Sequence, residues 1–131
     1  MRAYVSISFS NKQLLSATLH AITETLSQFN IAAFVFVNNY SFKHTDEKQM
    51  MQQAMRDIDD CNLLIAEVSD KGIGIGVEVG YAKGKGKPVI YLRHTDAEHS
   101  TTVSGISDFH IIYADNADLQ VQLSNILRSL V

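Results

Sequence analysis

The chain has 131 residues, the length of one ordinary domain, and its 46% hydrophobic and 19% charged residues exclude the polar, highly charged composition of disordered chains. A net charge of −3, with lysines scattered apart from Lys83, Lys85 and Lys87, gives no chain-wide attraction to phosphate backbones and argues against a nucleic-acid partner. The apolar runs Ile31 to Val37 and Asn62 to Val68 fall far short of the roughly 20 residues that span a bilayer, so no membrane partner is expected. The lone Cys61 cannot close an intrachain disulfide, and Met1 to Ser10 alternates polar with apolar residues; a single cytoplasmic domain over 1–131 is expected.

Ala3 to Phe9 is rich in β-branched and aromatic residues and predicts a strand. Ser10 with Gln13 is a capping-box pattern, and Leu14, Leu15, Thr18, Leu19, Ile22 and Leu26 recur at helical spacing until Asn30, which predicts the first helix. Ile31 to Val37 reads as a second strand covered on both faces, followed by polar Asn38 to Thr45. A second helix is predicted with Thr45 as its cap, Asp46 and Glu47 in its first turn, and Met51, Ala54, Met55 and Ile58 on its apolar side, ending near Cys61. Leu63 to Val68 predicts a third strand, and a glycine-rich turn then leads into a short helix over Val77 to Lys83. Pro88 to Leu92 predicts a fourth strand, His94 to Asp108 a looser stretch, Phe109 to Tyr113 a fifth strand, and Leu119, Leu123, Ile126, Leu127 and Leu130 a last helix. Alternating strands and helices predict a doubly wound α/β three-layer sandwich, flavodoxin- or Rossmann-like, with a five-stranded parallel sheet of order 2-1-3-4-5. Ligands bind such sheets where the carboxyl ends of strands one and three part, so the loops Ser6 to Asn11 and Val68 to Glu78 are the ones to watch.

The second of these loops carries Gly72-Ile73-Gly74-Ile75-Gly76-Val77-Glu78-Val79-Gly80. Glycines allow a ligand close to the backbone, and free N–H groups at a helix start attract anions, so Gly72, Gly74 and Gly76 are candidate contacts to a sugar or phosphate. Neither the dinucleotide fingerprint G-x-G-x-x-G nor a P-loop is present. Glu78 is expected in the first helical turn, where the dipole favours the ionised carboxylate, a form able to act as a nucleophile. Ser6, Ser8 and Ser10 offer hydroxyl donors to the same ligand. Tyr4 taken alone reads as core, Asp57, Asp59 and Asp60 as a solvated helix end, and Asp70 and Lys71 as loop polarity. The five histidines show no metal-ligand spacing, so neither a metal nor another cofactor is expected.

The run Gly74-Ile75-Gly76-Val77-Glu78-Val79-Gly80, preceded by Ile65-Ala66-Glu67-Val68 and followed by Tyr81-Ala82, resembles the G-x-G-x-E-x-G turn of the nucleoside 2-deoxyribosyltransferases and the 2'-deoxynucleoside 5'-monophosphate N-hydrolases. Element order and length agree over nearly the whole chain. The resemblance implies that Glu78 attacks the anomeric carbon of the sugar and forms a covalent glycosyl–enzyme, resolved by water or a second base. It implies that Tyr4 orients the nucleophile, and that Ser100 reaches a 5'-phosphate across the interface of a homodimer. The partner so implied is a small-molecule nucleoside or nucleotide.

Three positions depart from the family pattern. Its second carboxylate, which acts on the base, aligns with Ala54; Asp57, one turn on, is the candidate substitute. The glycine usual after the first strand is replaced by the serine-rich Ser6-Ile7-Ser8-Phe9-Ser10, and Gly72 stands where the hydrolases place a phosphate-binding serine. Hydrolysis and transfer both remain open, as do two alternatives: a nucleotide-binding module without turnover, and a dinucleotide glycohydrolase.

Overall fold

The structure is a computed structural model that describes residues 1–8, 15–36 and 43–131, with His44 described in its backbone alone. Its elements run β1 (Arg2–Ser6), α1 (Ser16–Gln28), β2 (Ala32–Val35), a 3-10 turn (His44–Asp46), α2 (Glu47–Asp59), β3 (Leu63–Glu67), α3 (Ile73–Gly84), β4 (Val89–His94), α4 (Thr101–Ile106), β5 (Phe109–Tyr113) and α5 (Asn116–Leu130). The five strands form one sheet in the order β2-β1-β3-β4-β5, and every neighbouring pair is parallel. This is the three-layer doubly wound architecture expected from the alternation of elements, with all carboxyl ends on one rim.

Strand alternation divides the core in two. Ala3, Val5, Leu63, Ile65, Ile90, Leu92 and Ile111 pack with Leu19, Ile22 and Leu26 of α1 and Leu119, Leu123 and Leu127 of α5. On the other face Tyr4, Leu64, Ala66, Val89 and Tyr91 pack with Ile58 of α2, Ile75, Val79 and Ala82 of α3, and Val103 of α4. β3, buried at all five positions, lies between the two layers. Among the described residues no helix is long and apolar enough to cross a membrane.

Several boundaries differ from expectation for identifiable reasons. β1 ends at Ser6 and Phe9 falls outside the described residues, as do Ser10 and Gln13 of the capping box; α1 is described from Ser16. Asn30 closes α1 in the left-handed region, with φ of 58°, and the N–H of Ile31 returns to the carbonyl of Leu26, an arrangement that satisfies helix-end acceptors. β2 is an edge strand with Ala32 exposed and Ala33 and Phe34 half-buried, so its apolar run is not covered on both faces. Thr45 does not cap α2. It sits inside the 3-10 turn, where Asp46 Oδ2 accepts from the Lys43 N–H at 3.3 Å, and α2 then starts with no side-chain cap. Ala54 and Ile58 are the buried positions of α2, whereas Met51 and Met55 are half-buried.

The glycine-rich segment is more helical than expected. α3 begins at Ile73, so Gly74 and Gly76 lie in its first turns and Gly72 is its N-cap in an extended conformation. The stretch read as loose contains α4, whose six residues are too few to show a period.

Candidate functional site

Tyr4 and Ser6 are two residues apart on β1 and therefore share a face, the one on which α3 packs. Glu78 of α3 descends onto that face. The Tyr4 hydroxyl donates to Glu78 Oε2 and the Ser6 hydroxyl to Oε1 at 2.7 Å, so each carboxylate oxygen receives one donor from the central part of the sheet. Removal from water raises the Glu78 carboxyl above its ordinary 4.5, while the hydrogen bonds from Tyr4 and Ser6 pull in the opposite direction. The Tyr4 hydroxyl is pushed far above its usual range by burial and then by the neighbouring Glu78 charge, which keeps it a donor. Glu78 stands in the second turn of α3, not the first. Its ionisation is therefore governed by burial and these two hydroxyls rather than by the helix dipole, whose influence fades within one turn.

Tyr4 is walled by Phe34 and Phe36, whose ring centroids lie 5.8 and 6.4 Å from its own. From α2, Asp57 lies close enough for its charge to push the Tyr4 hydroxyl further upward. Gln53 Nε2 donates to Asp57 Oδ1 at 3.1 Å, while Asp57 Oδ2 is buried with no hydrogen-bond partner among the described residues. An orphaned carboxylate oxygen is costly in a finished site and is a ready acceptor for an incoming group. Ala54, one turn earlier, is buried at 2% exposure and supplies no polar atom.

The loops after β1 and β3 are tied together by the Ser8 hydroxyl, which donates to Asp70 Oδ2. Asp70 is thus a bridge across the point where the strand order reverses, more than the loop polarity expected of it; Lys71 pairs with Glu98 at 3.3 Å. A Cβ on Gly74 or Gly76 would meet nothing within 4 Å, and on Gly72 only Ile75 Cδ1 at 3.9 Å. Among the described residues no packing demands glycine there. Ser100 precedes α4 and its N–H donates to the Tyr91 hydroxyl at 3.0 Å, but it makes no hydrogen bond to Glu78. Ser10 lies outside the described residues. The structure therefore gathers Tyr4, Ser6, Glu78 and Asp57, joins Ser8 to Asp70, and leaves Ser100 apart.

A buried carboxyl was missed by the sequence analysis. Glu67, at the end of β3, is 0% exposed and points to the face opposite Glu78. The N–H of Ser69 donates to its Oε1 at 2.5 Å and the Tyr113 hydroxyl donates to its Oε2. Burial raises its carboxyl above the ordinary 4.5 despite these bonds. The signal was present as one acid in an otherwise apolar strand. Among the described residues no group of three or more His, Cys, Asp or Glu side chains is placed to hold a metal ion.

Comparison with known proteins agrees with this fold. The chain is similar, at 44% identity over 41 residues, to a Syntrophotalea carbinolica protein provisionally named 2'-deoxynucleoside 5'-phosphate N-hydrolase 1; that match covers 31% of this chain and 29% of the relative. The fold is shared with a CMP N-glycosidase of Clostridium botulinum, with a TM-score of 0.71 and 19% identity over 95% of this chain and 99% of that one. It is shared also with a 2-deoxyribosyltransferase of Bacillus psychrosaccharolyticus, with a TM-score of 0.70 and 17% identity over 92% and 90% of the two chains. The family model for nucleoside 2-deoxyribosyltransferases matches residues 6–125, which take in Ser6, Asp57 and the whole turn around Glu78, and the chain belongs to that family.

Proposed function

We propose that this protein cleaves the N-glycosidic bond of a nucleoside or nucleoside 5'-monophosphate, with Glu78 as the nucleophile. The observation that carries the reading is the Glu78 carboxylate held by the hydroxyls of Tyr4 and Ser6 at the carboxyl rim of the sheet. Two hydroxyl donors fix the carboxylate in one orientation and favour its charged form within a desolvated setting. Attack by one Glu78 oxygen on the anomeric carbon forms a C–O bond as the C–N bond breaks, and the bonding electrons leave with the base. Water, or a second base, then displaces Glu78 from the sugar and restores the carboxylate. Asp57 is the group proposed to meet the base, because its Oδ2 is the acceptor left without a partner. Gly72, Gly74, Gly76 and the Ser8 loop border the space for sugar or phosphate, and Ser100 is proposed to act from a second copy of the chain in a homodimer.

The test is a chromatographic screen for free base released from deoxynucleosides, deoxynucleotides, ribonucleotides and dinucleotides. Release is expected from a nucleoside or monophosphate, falling by about 10³-fold or more in Glu78→Ala. Release that survives this substitution removes Glu78 from the chemistry. A second reading, ligand binding without turnover, is favoured by Ala54, which fills the position of the family's base-side acid with a buried methyl group. Stabilisation of the wild type by a nucleotide without product, and activity gained in Ala54→Asp, would establish it.

A further inference from the structure

On the face of the sheet away from Glu78 lies an open cavity of about 380 Å³, at the carboxyl ends of β3, β4 and β5. Its polar lining comes from Thr18, Ser69, His94, Tyr113, Asp115 and Asn116. The volume is at the lower end of the range for small-molecule sites, roughly 300–1,000 Å³. It shares no residue with the Tyr4, Ser6, Glu78 group.

We propose that this cavity binds an uncharged polyhydroxyl ligand, a sugar that is either free or part of a nucleoside without phosphate. Glu67 forms the buried support for the cavity floor. It takes the proton end of the Tyr113 hydroxyl, so that Tyr113 presents lone pairs to the cavity that Ser69 and Thr18 also line. Ser69 Oγ also accepts from the N–H of His94 at 2.9 Å, which fixes it in place. Asn116 Oδ1 accepts from Thr18 at 3.0 Å, and its Nδ2 has no partner among the described residues. Asp115 uses Oδ1 to cap α5 through the N–H of Asp118 at 2.8 Å, leaving Oδ2 as an acceptor. Donor, acceptor and hydroxyl groups therefore converge on one space, which is what a sugar's several hydroxyls satisfy.

The charge pattern selects against an anion. Among the described residues no Lys or Arg lines the cavity, and a carboxylate, Asp115, does. His94 offers no free N–H: its Nδ1 accepts from the Asp96 N–H at 3.1 Å, and its Nε2 is directed at the Ala114 carbonyl at 3.0 Å. The His94 ring meets Tyr113 edge-on at 5.5 Å, and Leu15 and Ala114 supply apolar surface for the C–H face of a sugar ring. A phosphorylated sugar would place its charge beside Asp115, with no Lys or Arg among the described lining residues to meet it.

Amide-resolved NMR titration tests this, with ribose added to the wild type and a nucleoside added to Glu78→Gln so that it is not consumed. Saturable shifts are expected at Ser69, Ala114 and Asn116; shifts with ribose alone identify a free sugar as the ligand, and shifts with the nucleoside alone identify the nucleoside. Asn116→Ala and Thr18→Val should each weaken binding about tenfold, as expected for one lost hydrogen bond in a partly desolvated site. Ribose 5-phosphate should bind at least about tenfold more weakly than ribose. Unchanged amide signals elsewhere in the spectrum show that each variant is folded. The proposal fails if neither ligand gives saturable shifts, if ribose 5-phosphate binds as tightly as ribose, or if both variants bind like the wild type.

Discussion

Tyr4 and Ser6 divide the two oxygens of Glu78 between them, and their removal should have different consequences from removal of the carboxylate itself. Tyr4→Phe leaves one Glu78 oxygen without its donor. A hydrogen bond to a charged group is worth about 1.5–3 kcal/mol, so kcat/KM should fall about ten- to hundredfold without vanishing. Because the Tyr4 bond favours ionised Glu78, its loss raises the Glu78 carboxyl further, and the acid limb of the pH profile should move to higher pH. An unmoved limb would show that Tyr4 only packs. Glu78 itself was legible from the spacing of Gly76, Glu78 and Gly80, and Tyr4 only through resemblance, because nothing in one strand says which residue its hydroxyl will meet 74 positions later. Glu67 stayed hidden for a similar reason: Ser69 is a local partner, but Tyr113, 46 positions on, becomes a neighbour only when β3 and β5 are in one sheet.

At the scale of elements, α3 is the segment whose sequence and structure differ most instructively. Glycine disfavours helix interiors, so a run with five glycines between residues 72 and 84 reads as a turn. Its helix forms nonetheless because Ile75, Val79 and Ala82 are buried on the sheet at helical spacing. Gly80 is exposed in the helix interior, and a Cβ there would meet nothing within 4 Å. Gly80→Ala should stabilise the chain by about 0.5–1 kcal/mol, seen as a rise in Tm. Gly86, with φ of 74°, is the contrasting case, and Gly86→Ala should lower Tm. Should Gly80→Ala raise Tm yet reduce base release, the open face of α3 must be contacted by substrate or by a second copy of the chain. α4 illustrates the opposite limit, since a helix of six residues leaves too little periodicity for sequence to reveal it.

Across the whole molecule, buried carboxyls give stability a definite pH dependence. The folded Glu67 carboxyl is held above 4.5 by burial, so as pH rises the unfolded chain loses its proton first. Stability contributed by protonated Glu67 is present below about 4.5 and is lost as pH rises through the higher folded value. Glu67→Gln keeps a hydrogen-bonding side chain without the charge. Its urea midpoint should therefore gain on the wild type between pH 4 and 8, whereas parallel curves would show that Glu67 ionises in the folded chain as freely as in the unfolded one. Glu78 has a shift of the same sign but is present in both proteins, so the difference isolates Glu67. The order of the sheet was legible at this scale because apolar strands alternate with amphipathic helices and right-handed crossovers leave few alternatives.

That order also makes the site depend on contacts between distant parts of the chain. β1 lies between β2 and β3, and both follow it in the chain. Tyr4 and Ser6 therefore meet Glu78 only across contacts that join the start of the chain to residues 63–67 and to α3. Pairing of such distant segments makes folding slow relative to a helical bundle. Any molecule in which β1 and α3 have come apart has no Glu78 held by Tyr4 and Ser6, so the reactive centre is a property of the closed sheet and not of any one segment.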